Sequence, residues 1–156
     1  MKVFASCSLD NTEKYIISVL TLQLQKRNHT LTSSFNNPYS EKGYAYKQIL
    51  NCDIFLGIIS YNGSGIADVV NDYNYAHERK IPSLLLIEEN VNHQKLNNIR
   101  NNIIYFNRDN PHPSIDKVNE LIQSNKNKEA NTNVLPWVLG GAAIIALISL
   151  LSSDDS

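Results

Sequence analysis

Residues 53–60 (DIFLGIIS) form the most hydrophobic strand-like run in the first 125 residues, and they constrain the fold more than any other stretch. Such a run reads as a central strand buried on both faces, the kind found in parallel sheets covered by helices. Segments of helical spacing separate it from the other short apolar runs. Residues 2–7 (KVFASC) read as a first strand, and residues 11–27 as a helix in which Tyr15, Val19 and Leu22 recur at helical spacing. Residues 29–35 (HTLTSSF) form an expected second strand, and residues 41–51 a helix carrying Tyr44, Ala45, Gln48 and Ile49. After the central strand come a helix at 67–79, a strand at 82–87 (PSLLLI), a weak helix at 94–100, a strand at 103–106 (IIYF) and a closing helix at 115–124.

Five strands thus alternate with five helices, and each parallel crossover needs a connection of about a dozen residues or more. The expectation is an α/β domain over residues 1–125, a five-stranded parallel, flavodoxin-like sheet of order 2-1-3-4-5 with helices on both faces. No internal repeat is evident.

Residues 126–133 (KNKEANTN) are polar and read as a linker. Residues 134–151 (VLPWVLGGAAIIALISLL) then carry no charge. As a helix this run would reach roughly 27 Å, close to the hydrocarbon thickness of a bilayer. The expectation is a transmembrane helix over 134–152 and a short acidic tail over 153–156. Lys126 and Lys128 precede the span while Asp154 and Asp155 follow it, which favours a cytoplasmic domain on a single-pass inner-membrane anchor. Gly140, Ala142, Ala143 and Ala146 offer small-residue spacing for close helix–helix approach, and hence for a homo-oligomer.

Fourteen basic and fifteen acidic side chains leave a net charge of -1, without the basic footprint that nucleic-acid phosphates demand. Cys7 and Cys52 are too few for a disulfide framework and read as small buried residues. His29, His77, His93 and His112 are scattered without ligand spacing, so no metal site is expected.

In a sheet of this order ligands bind beyond the carboxyl ends of the strands, where strands one and three diverge. The polar residues there are Ser6, Ser8 and Asp10 after the first strand, and Tyr61, Asn62 and Ser64 after the third. Ser64 is a candidate cap for the next helix. On that helix Asp68 and Asp72 are four residues apart and share a face, with Asn71 and Tyr75 beside it. A carboxylate there can bind ribose hydroxyls or stabilise an oxocarbenium ion, although acidic residues early in a helix also simply suit its dipole. Tyr39, Tyr44 and Tyr46 could stack on a base but read as ordinary packing. Glu78, Arg79 and Lys80 read as a solvated helix end.

The segments KVFASCSLD, KQILNCDIFLGIIS and DYNYAHERKIPSLLLIEE resemble the superfamily that joins nucleoside deoxyribosyltransferase-like proteins with Toll/interleukin-1 receptor (TIR) domains, over residues 2–124. The resemblance implies the same five-stranded plan and, for catalytic members, cleavage or exchange of N-glycosidic bonds of nucleosides or NAD. It also implies a key glutamate on the helix after the third strand, four residues before a small residue. Here the small residue is Ala76, which places Asp72 at the glutamate position, one methylene shorter. The resemblance further implies antiviral or stress signalling with nucleotide messengers. The leading expectation is a membrane-anchored nucleotide-sensing effector that assembles on ligand binding and acts on the membrane. The alternatives are an anchored NAD or nucleoside N-glycosidase with Asp72 as the catalytic carboxylate, and a non-catalytic adaptor. No cofactor is required in any of them, since NAD or a nucleotide would be substrate or ligand.

Overall fold

The computed structural model describes residues 1–36, 43–92, 96, 99 and 102–129. In chain order the elements are β1 (Lys2–Cys7), α1 (Asn11–Gln25), β2 (Thr30–Ser33), a 3₁₀ turn (Ser34–Asn36), α2 (Tyr44–Leu50), β3 (Ile54–Ile59), α3 (Ile66–Glu78), β4 (Ser83–Glu88), β5 (Ile103–Phe106) and α4 (His112–Glu129). All pairings are parallel and the sheet order is β2-β1-β3-β4-β5, as expected from the sequence.

The two faces of the sheet carry separate cores, divided by the alternation of side chains along each strand. Val3, Ala5 and Cys7 of β1 join Ile54, Leu56 and Ile58 of β3 and Leu84 and Leu86 of β4 under α1 and α4. Phe4 of β1, Phe55 and Ile59 of β3, and Leu85 and Ile87 of β4 pack on the opposite face against Val69, Tyr73 and Ala76 of α3. All six residues of β3 are buried, which is why its sequence shows no polar alternation. Gly57 is the point of closest approach. A Cβ there would fall 2.4 Å from Leu85 Cδ2 and 2.9 Å from Val69 Cγ1, so its absence lets α3 lie down on β3.

Several boundaries differ from the sequence expectation, each for a local reason. The second strand stops at Ser33 because Ser34 accepts the Cys7 N–H through its hydroxyl at 3.0 Å and the chain turns into the 3₁₀ segment. Helix α3 begins at Ile66 with Gly65 at its N-cap and no side-chain cap, so Ser64 does not cap it. Helix α4 continues to Glu129, beyond the start of the segment read as a linker. The expected helix at 94–100 lies mostly outside the described residues, though Leu96 and Ile99 are buried against the α3-side core. Tyr39 and His93 also lie outside them, as does everything from residue 130 on, including the expected span with Gly140, Ala142, Ala143 and Ala146. Among the described residues no helix is long and apolar enough to cross a membrane.

Candidate functional site

The carboxyl end of β1 brings two serines to the switch point, and they bond to different helices, Ser6 to α3 and Ser8 to α1. Ser6 shares the α3 face with Phe4, and its hydroxyl donates to Asp72 Oδ2 at 2.7 Å. Asp72 is 8% exposed. Among the described residues its other oxygen has no hydrogen-bond partner. Burial pushes the Asp72 carboxyl above its ordinary value, the Ser6 bond offsets part of this, and the nearby charge of exposed Asp68 adds to the rise. The pair of carboxylates predicted on one helix face is therefore electrostatically coupled, with Asp72 inward and Asp68 outward.

Ser8 belongs to a different constellation on the α1 side. It is completely buried, and its hydroxyl donates to Glu13, a residue of the first turn of α1 that is also completely buried. Glu13 Oε1 accepts the Ser60 N–H at 3.0 Å, and Oε2 accepts the Leu9 and Asp10 N–H groups at 2.8 and 3.3 Å. Burial raises the Glu13 carboxyl, and its hydrogen bonds from Ser8 and the backbone offset part of the rise. Asp10 is the N-cap of α1, where its carboxylate accepts the Thr12 N–H at 2.7 Å.

Asp10 also meets Arg108, which follows β5. The guanidinium donates to both oxygens of Glu88 at 2.8 Å, to Thr12 Oγ1 at 2.8 Å and, more loosely, to Asp10 at 3.4 Å. Glu88, at the end of β4, accepts the Tyr61 N–H as well, at 2.7 Å. Arg108 draws the Glu88 carboxyl below its ordinary value against the opposing effect of burial. This one cation thus ties together the loops after β1, β3, β4 and β5. A cleft of about 230 Å³ lies alongside, between Tyr61, Glu88, Asn90, Phe106 and Arg108. Small-molecule sites usually enclose roughly 300–1,000 Å³, so this cleft has room for part of a nucleoside and no more.

The residues expected to form one ligand-binding set therefore divide. Ser6, Asp68 and Asp72 lie together on the α3 side. Ser8 and Asp10 are turned to the α1 side and committed to internal partners, so neither hydroxyl nor carboxylate is directed at a ligand as expected. Tyr61, Asn62 and Ser64 stand exposed on the loop between. Tyr44 is half-buried against the α3-side core, while Tyr46 stacks on Tyr75 with centroids 4.2 Å apart. Arg79 lies over the other partner in that stack, 4.3 Å from the Tyr75 ring. Cys7 is buried and Cys52 half-buried, both free; burial pushes the Cys52 thiol up to about 11, which keeps it protonated near neutral pH. No group of three metal-ligating side chains occurs among the described residues.

Glu13, Ser60, Glu88 and Arg108 escaped the sequence reading. Only Glu13 left a signal: Asp10 and Glu13 have capping-box spacing before an apolar-periodic segment. The Glu88–Arg108 pair has none, because its partners come from different strands.

No protein-family model matches the chain, and no curated protein sequence does. Among solved structures the chain is similar to a CMP N-glycosidase from Clostridium botulinum, with 20% identity and a TM-score of 0.55 over 77% of this chain and 99% of that one. It is also similar to a 2-deoxyribosyltransferase from the psychrotolerant bacterium Bacillus psychrosaccharolyticus, with 18% identity and a TM-score of 0.48 over 68% of this chain and 85% of that one. The likeness is one of fold: the chain shares with the CMP N-glycosidase the architecture that the resemblance to nucleoside deoxyribosyltransferase-like proteins implies.

Proposed function

We propose that this domain binds a nucleoside or nucleotide where β1 and β3 diverge and cleaves its N-glycosidic bond, with Asp72 as the catalytic carboxylate. One observation carries the reading: Ser6 at the end of β1 and Asp72 on the helix after β3 meet at 2.7 Å at the switch point, where this topology places ligands. The serine holds one carboxylate oxygen and leaves the other for the ligand. Left open to the switch point, that oxygen would stabilise the positive charge that develops on the ribosyl ring as the base departs. The test is incubation of the full chain, in detergent, with NAD, adenosine, cytidine and their 5′-monophosphates, followed by chromatography of released base. Turnover that falls by about a hundredfold or more in Asp72→Asn supports the proposal. Absence of turnover with every compound refutes the catalytic step.

A second reading keeps the ligand and omits the chemistry. It is favoured by the shorter arm of Asp72, since withdrawing a catalytic group by about 1 Å can remove much of its effect. The uncharged run at 134–151 gives such a sensor an output, a membrane effector of the kind used in antiviral or stress signalling. Binding without turnover in the same incubation distinguishes it.

A further inference from the structure

We propose that Glu13 is the positioning residue of this site: its buried carboxylate joins the loop after β1 to the loop after β3 and so sets where Tyr61, Asn62 and Ser64 meet the ligand. The proposal rests on the nucleoside-type reading above. A capping box requires of its glutamate a single bond, to the N-cap N–H, which Asp10 supplies. Glu13 accepts three more, from the Ser8 hydroxyl and the Leu9 and Ser60 N–H groups, and all three donors lie outside the helix.

Two features show what those bonds hold in place. Leu9 has φ +71, a left-handed conformation that costs a side-chain-bearing residue roughly 1–2 kcal/mol, and its N–H points into Glu13 Oε2. Gly63 lies directly on Ser8, so close that a Cβ would fall 1.9 Å from the Ser8 hydroxyl oxygen, and the Gly65 N–H donates to the Ser8 carbonyl at 3.0 Å. Ser8 is thus the contact through which Glu13 places the whole Tyr61–Gly65 loop. Each carboxylate oxygen serves two donors, a demand that an amide cannot meet because one of its ends carries N–H groups.

The titratable groups around Glu13 are Cys7 on β1 and Asp10 at the N-cap, with Glu88 of β4 and Arg108 after β5 on the far side of Asp10. Burial keeps Cys7 a thiol, while Asp10 and Glu88 are held low. The carboxyls that burial holds above their ordinary value are Glu13 here and Asp72 beside α3.

The test is calorimetric binding of cytidine and cytidine 5′-monophosphate to the full chain between about pH 4 and pH 8, in wild type, Glu13→Gln and Ser8→Ala. Glu13→Gln should bind about tenfold or more weakly near neutral pH, and its acid limb should be shallower than that of wild type, the ligand's own protonations at cytosine N3 and phosphate being common to both proteins. Ser8→Ala removes one donor and keeps the carboxylate; it should weaken binding about threefold and retain the acid limb of wild type, which keeps the test decisive should Glu13→Gln not fold. Wild-type affinity in Glu13→Gln, or an unaltered acid limb, overturns the positioning role and leaves the functional reading standing. Absence of binding by wild type at every pH overturns the functional reading, and this inference with it.

Discussion

Asp72 sits where burial and a neighbouring like charge both oppose its ionised form, an arrangement that costs folding stability and suits a functional carboxylate. The sign can be worked out. A carboxyl whose folded-state value is raised above its unfolded value binds more protons when folded, so stability falls as pH rises through that interval and stays reduced above it. Asp72→Asn removes the charge and keeps an acceptor for Ser6. It should therefore raise stability near neutral pH by on the order of 1 kcal/mol, with the gain vanishing at about pH 3, below both values. Thermal unfolding at the two pH values checks this, and a variant less stable than wild type at neutral pH would show that the charge stabilises the fold. Legibility at this scale was uneven. The aspartate was visible through its four-residue spacing from Asp68, and the family resemblance singled it out by its distance from Ala76, whereas the separation of Ser6 from Ser8 was not visible. Strand alternation does predict two faces for neighbouring residues, but Ser6 and Ser8 should share one face under that rule. Ser8 lies beyond the end of β1, where that alternation no longer governs, and its hydroxyl is bonded to Glu13 of α1.

At the scale of elements, the strands were the most legible part, because continuous apolar runs such as 53–60 have few structural uses. Helix α1 was legible at its start, where Asp10 and Glu13 cap it, and at its end, where Lys26 and Arg27 lead into Asn28, whose left-handed φ of +59 turns the chain. Helix α3 was less legible at its start. Its apolar face was readable, but its N-cap is Gly65, because Gly63 lies against Ser8 and the Gly65 N–H donates to the Ser8 carbonyl before the helix begins. Gly57 has a comparable role within β3. Gly57→Ala places a methyl group against Leu85 and Val69 and should destabilise the domain by about 1–3 kcal/mol, which urea denaturation with an unchanged m-value would report. An unaffected midpoint would mean that α3 has slack over the sheet.

For the whole molecule, the parallel sheet and its strand order underlie the proposed nucleoside-type site at the carboxyl edge, and the proposed anchor at 134–151 would add a membrane as the place of action. Helix α4 closes the α1-side core through Ile115, Val118, Leu121 and Ile122. Residues 1–129 alone should melt within a few degrees of the full chain, remain in the supernatant when centrifuged with vesicles, and leave the full chain to sediment with them. Sedimentation of both species, or of neither, would refute an anchor beyond residue 133.

The sequence by itself pointed to the fold class and the strand order that the structure shows, because apolar periodicity and crossover length are local properties that any packing must respect, and from that order to the crevice where the proposed chemistry is to be sought. The tertiary structure alone decided which side chains share that crevice. Glu13 with Ser60, and Glu88 with Arg108, are brought together by loops from different strands, and no local pattern records a pairing whose partners are selected by burial and by the need to satisfy every buried donor and acceptor.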